Sequence, residues 1–117
     1  MAFRFKNFKV YQDAKSFHRK VVFTSKTFPR EYYYLRDQLN RASLSVILNI
    51  AEGSGKSSDK DFKRYLGNSL GSISEIVACL EVAKDLNLIS QLQLSGLEDI
   101  CLDIANQLGG FSKKLSS

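Results

Sequence analysis

The stretch Leu35-Arg36-Asp37-Gln38-Leu39-Asn40-Arg41-Ala42-Ser43-Leu44-Ser45-Val46-Ile47-Leu48-Asn49-Ile50-Ala51-Glu52 decides the fold. At helical spacing, Gln38, Arg41, Ser45, Asn49 and Glu52, with Lys56 beyond them, gather in one arc of roughly 80°. Leu35, Leu39, Ala42, Val46 and Ile50 face the other way, so the segment from about Tyr33 to about Gly55 reads as an amphipathic helix. Its apolar surface does not stop there. Leu44, Ile47, Leu48 and Ala51 carry it round to a span of roughly 220°, where an ordinary surface helix needs a little over about 100°. Such a surplus marks an interface, so Leu44 and Leu48 predict a partner, most economically another copy of the chain. The alternative is that this helix is the central member of a tight bundle.

Working outward, the same periodicity recurs on both sides. Val10, Ala14, Phe17, Val21 and Phe28 form one stripe of a first helix, with Asn7 as a candidate cap and Phe28-Pro29 as its break. A third helix begins after Ser57-Ser58 and carries Phe62, Leu66, Ser69, Ile73, Ile76, Val77 and Leu80 to about Leu86, where Asn87 suits a left-handed stop. A fourth opens at Ser90, with Gln93 completing a capping box, and turns Leu94, Leu97, Cys101, Ile104, Leu108, Phe111 and Leu115 inward. Short joints between long helices force antiparallel neighbours, so the chain reads as an all-α, up-and-down four-helix bundle over residues 9–117. Residues 1–8 form an arm, Phe3-Arg4-Phe5-Lys6-Asn7-Phe8, whose three phenylalanines favour a strap over the bundle rather than a frayed end.

On the third helix Gly67, Gly71, Ser74 and Ala78 make a small-residue stripe nearly opposite the core stripe. A glycine inside a helix costs about 1 kcal/mol against alanine. Either another helix approaches closely at Gly67 and Gly71, or the helix tolerates them and bends.

The chain has 117 residues and a net charge of +5, and the excess sits at one end. Residues 1–30 hold eight basic side chains against Asp13 alone, a net +7, whereas the rest holds nine basic and eleven acidic, a net −2. On the first helix Lys15, Arg19 and Lys26 share a face away from the core, with Lys9 and Lys20 on another flank. A stripe of this kind suits a phosphate backbone, by releasing counterions, and predicts RNA or DNA as a partner.

Catalysis is not predicted. His18 is the sole histidine, so neither a histidine-based triad nor a multi-histidine metal site can be assembled. Cys79 and Cys101 sit in apolar runs, which suits buried thiols in a reducing cytoplasm. Gly53-Ser54-Gly55-Lys56-Ser57 ends like a phosphate-binding loop, but Ile50 stands where the upstream glycine belongs, and a helix precedes it rather than a strand. Gln38, Arg41, Asn49 and Glu52 are the polar groups of the second helix. Asn49 and Glu52 either pair with neighbours at a helix junction or contact a ligand. No cofactor or metal is expected, and no apolar run approaches the roughly 18 residues of a membrane span.

The run from Gln38 through Asn49-Ile50-Ala51-Glu52-Gly53, followed by Asp61-Phe62, Tyr65-Leu66 and Gly71-Ser72-Ile73-Ser74-Glu75, resembles the bacterial four-helix-bundle family often encoded in intervening sequences of large-subunit ribosomal RNA genes. Phe8-Lys9-Val10-Tyr11-Gln12 and Phe28-Pro29 extend the likeness over nearly the whole chain. The resemblance implies a ring-like homopentamer. It is also similar to the accessory protein of diversity-generating retroelements, which implies nucleic acid and a reverse transcriptase as partners. The chain departs from the family pattern at Ile47, where a proline is frequent, and at Lys56, where arginine is usual. The first predicts a straighter helix and the second removes bidentate geometry.

Overall fold

The computed structural model describes residues 2–115. Four helices carry the chain: α1 (Lys9–Ser25), α2 (Tyr33–Ser54), α3 (Asp59–Asp85) and α4 (Gln91–Lys114). Short 3-10 turns at Arg4–Asn7 and Arg30–Tyr32 precede α1 and α2. Among the described residues there is no strand. Each helix packs on the next and α4 closes back onto α1, while the diagonal pairs stay apart, which is the up-and-down antiparallel bundle. At 27 residues α3 is about 40 Å long and sets the long dimension of a body 44 × 24 × 20 Å.

The expected stripes form the core. Val10, Ala14, Phe17, Val21 and Phe28 of the first segment are buried, as are Leu35, Leu39, Ala42, Val46 and Ile50 of α2. Phe62, Leu66, Ile73, Ile76 and Leu80 of α3 meet Leu94, Leu97, Cys101, Ile104 and Leu108 of α4. Val77, Phe111 and Leu115 are only half-buried against it.

The helix ends follow local chemistry. Ser58 Oγ accepts from the Asp61 N–H at 3.1 Å. Ser90 and Gln93 close a reciprocal capping box, with bonds of 2.8 and 3.1 Å. After α3, Asn87 takes φ 60°, and the Leu88 N–H reaches back to Ala83 O at 2.9 Å. Asn7 does not cap α1. The 3-10 turn draws it away, and Phe8, extended at ψ 129°, occupies the N-cap without a side-chain bond. The first helix also ends earlier than Phe28, at Ser25, whose buried hydroxyl meets Asn40 Oδ1 at 3.2 Å.

The arm lies on the bundle. Arg4 donates to Ser54 O at the end of α2, at 3.1 Å, and its guanidinium sits 5.5 Å from the centre of the Phe62 ring. Phe8 meets Phe111 edge-on at 5.0 Å, and Phe5 meets Tyr11 at 4.9 Å, while Phe3 stays exposed. Gly53 permits the close approach at this end: a Cβ there would stand 2.6 Å from Tyr65 Cβ and 3.0 Å from the Phe62 ring.

Candidate nucleic-acid interface

The core stripe of α1 turns Lys15 and Arg19 outward, because they stand on the opposite side of a 3.6-residue helix from Val10, Ala14, Phe17 and Val21. Lys26, expected on the same helix, lies just past its end as the C-cap, where its φ −58° and ψ −31° continue that face. All three are exposed. Lys15 Nζ lies 5.2 Å from the centre of the Tyr11 ring, and Arg19 Nη2 reaches Ser16 Oγ at 3.4 Å. Among the described residues, no carboxylate ion-pairs with Lys15, Arg19, Lys20 or Lys26.

Lys9 differs. It bonds Asp13 Oδ2 at 2.7 Å, and Gln107 Nε2 on α4 donates to the same oxygen at 2.8 Å. These bonds, Lys9 first, hold the Asp13 carboxyl below its ordinary range, and the bond to Asp13 pushes the Lys9 ammonium above its own. Lys20 stands at the α1–α4 seam, sharing a small cavity with Asp13, Asp99 and Asp103. The five basic residues therefore divide into an unopposed outer face, Lys15, Arg19 and Lys26, and a seam where carboxylates offset Lys9 and neighbour Lys20.

The polar arc of α2 does not converge on one point. Gln38 hydrogen-bonds Glu75 of α3. Asn49 donates to Ser45 O at 2.9 Å and Ser45 Oγ at 3.0 Å, and its own Oδ1 accepts from Asn68 at 3.5 Å. Ser45 and Ser72 hydroxyls pair at 2.9 Å, and buried Ser69 donates to Val46 O at 3.0 Å. Together these make a polar ladder along the α2–α3 seam. Glu52 faces out, 3.9 Å from Lys56, and exposed Arg41 has no side-chain partner among the described residues.

The apolar surplus of α2 is real but narrower than its sequence suggests. Leu44 is 42% exposed and Leu48 54%, yet Ile47 is only 7% exposed because it shares Ser43's face toward α1. Gly67 and Gly71 are exposed, and a Cβ at either would meet nothing within 4 Å. Nothing in a single chain requires a glycine at those two positions.

Sequence periodicity overlooked a groove between α1 and α4. Its volume is about 640 Å³, and Arg19, Lys20, Phe23, Leu92, Gly96 and Ile100 line it. Phe23 is 75% exposed and Leu92 84%. The available signal was Phe23 itself, an aromatic off the core stripe at i+4 from Arg19 and i+3 from Lys20. No metal-binding cluster of His, Cys, Asp or Glu occurs among the described residues. The thiols of Cys79 and Cys101 are buried, and burial pushes that of Cys101 up to about 12.

These features define a class: a small antiparallel four-helix bundle with a basic outer face on its first helix. More narrowly, the chain belongs to the 23S rRNA-intervening sequence protein family, whose model matches residues 6–110. It is also similar to a solved structure, a protein of unknown function from the S23 ribosomal protein family of Bacteroides thetaiotaomicron. That likeness has a TM-score of 0.83 at 21% identity and covers 90% of this chain and 99% of the other. It shows the shared fold. No curated protein matches the chain. No helix among the described residues is long and apolar enough to cross a membrane.

Proposed function

We propose that this chain is a non-catalytic, self-associating protein of the cytoplasm that binds RNA through the outer face of α1. The single observation that carries the reading is the unopposed set Lys15, Arg19 and Lys26, beside a Lys9 that Asp13 already holds. Cations without a carboxylate partner gain most from phosphates, since binding releases the condensed counterions. Self-association, in five copies by the family resemblance, would repeat the stripe and multiply a weak contact. Exposed Leu44 and Leu48 supply an apolar surface for it.

The test is fluorescence anisotropy with mixed-sequence RNA across a salt series. Binding falls steeply with salt, and the triple change Lys15→Glu, Arg19→Glu, Lys26→Glu abolishes it while the helical circular dichroism stays. Absence of binding at low salt, or affinity unchanged by the triple change, overturns the reading.

A second reading draws on the uncovered α2 face and the open stripe at Gly67 and Gly71. In it the chain is a scaffold for protein partners, such as an accessory subunit of a reverse transcriptase. It requires a nuclease-resistant complex with the purified enzyme, and that complex must fail when Leu44 and Leu48 become glutamate.

A further inference from the structure

We propose that the α1–α4 groove around Phe23 is a single-strand site, in which one unstacked base lies on the Phe23 ring while Arg19 and Lys26 hold the flanking phosphates. The inference rests on the nucleic-acid reading above and deepens it by naming the form of nucleic acid. Three observations meet here. Phe23 is the most exposed aromatic ring of α1, although the helix has a full apolar stripe elsewhere to bury such a ring. Arg19 lies one turn before it and lines the groove, and Lys26, the C-cap residue just past α1, follows it by three residues outside that lining; both are exposed and, among the described residues, without carboxylate partners. The floor beside it is open, because Gly96 adds no side chain and a Cβ there would meet nothing within 4 Å.

An aromatic ring between cations is the combination that single strands use, since every base has a π-face and every linkage a phosphate. A duplex keeps its base faces stacked and cannot offer one without being opened. Charge also sets the path. Asp13, Asp99 and Asp103 line the adjoining cavity, so a phosphate is repelled there, while Lys20 lines both cavities and adds its charge to the groove side, which directs the strand along Arg19, Phe23 and Lys26. Leu92 and Ile100 give the opposite wall an apolar surface for the second face or the edge of the base.

The experiment compares a labelled 20-nucleotide single-stranded RNA of mixed sequence with the same sequence as a duplex, using the full-length chain. The wild type binds the single strand more tightly, and Phe23→Ala weakens that binding about tenfold while leaving duplex binding as it was. Phe23→Tyr restores it. A 5-iodouridine in the single strand photo-crosslinks to the peptide that carries residue 23. If both forms bind equally and Phe23→Ala changes neither, the groove proposal is overturned while the basic-face reading stands. If neither form binds, both fail together. If Phe23→Ala instead lowers the sedimentation coefficient and leaves single-strand affinity unchanged, the groove is a seam between copies and the proposal is wrong.

Discussion

His18 Nδ1 and Ser43 Oγ lie 2.6 Å apart across the seam between α1 and α2. The Ser43 hydroxyl also reaches Asn40 O at 3.1 Å, which ties the His18 ring to the backbone of α2. Burial lowers the His18 pKa below the ordinary 6.5, because the charged ring loses water at this seam. The unfolded chain then binds the proton more readily than the folded one. Stability is fully present above pH 6.5 and is lost as pH falls through the lower folded value. Urea midpoints measured between pH 7.5 and 5 should decline, and His18→Gln should flatten that decline. Ser43→Ala should cost about 1–2 kcal/mol at pH 7.5, because it leaves His18 Nδ1 without its partner at this seam.

Glycines on the two faces of the bundle should respond in opposite directions. Gly53→Ala forces a Cβ to within 2.6 Å of Tyr65 Cβ, backbone-attached and unable to swing away. The overpacking should cost about 1–3 kcal/mol and lower Tm. Gly67→Ala and Gly71→Ala meet open space and should each stabilise an isolated chain by about 0.5–1 kcal/mol. Thermal melts of dilute protein check both signs. If either outer alanine weakens self-association instead, a neighbouring copy approaches α3 there.

Arg4 joins residues fifty positions apart in sequence. Its bond to Ser54 O satisfies a carbonyl at the end of α2, and its charge lies over Phe62. Arg4→Ala should cost about 1 kcal/mol in urea denaturation and speed exchange of the amides around Ser54 and Gly55. Arg4→Lys should recover only part, because an ammonium lacks the guanidinium's planar fork.

What could be read in the sequence was what spacing alone determines. The stripe from Val10 to Val21, the Ser90–Gln93 box and the stop at Asn87 each depend on residues within a few turns, so periodicity found them. The polar arc of α2 was equally visible, but its partners Asn68, Ser72 and Glu75 were not, because they come from the register of α3 against α2. Ile47 looked like part of the outer surface until α1 was placed on it. Phe23 escaped for the reverse reason: it lies off the stripe, and only the position of α4 turns an exposed ring into one wall of a groove.

The two thiols should be inert in the folded chain. Cys79 and Cys101 are buried and unpaired, and burial, aided by Glu75 and Glu98 respectively, raises both above the ordinary thiol value, Cys101 to about 12. Thiolate is the reactive form, so at pH 8 a disulfide reagent should titrate neither until urea opens the bundle. Rapid labelling of Cys101 in native buffer would contradict its place in the core.

Leu44 and Leu48 decide whether the chain works alone. Each leaves about half of its side chain to solvent on the outer face of α2, one turn apart, uncovered by any of the described residues. Fully burying an exposed leucine is worth about 1.5–3 kcal/mol, and about half of each side chain remains to be covered, so the pair contributes about 1.5–3 kcal/mol per copy to self-association. Leu44→Glu with Leu48→Glu should leave the helical spectrum intact, because neither side chain supports the core. In sedimentation the variant should run as a 13.2 kDa species, while the wild type runs as a multiple of it. Phosphate contacts would then be made singly, and RNA affinity should fall although every lysine of α1 remains. A wild type that sediments at 13.2 kDa across the micromolar range would remove both the assembly and the amplification of the basic stripe.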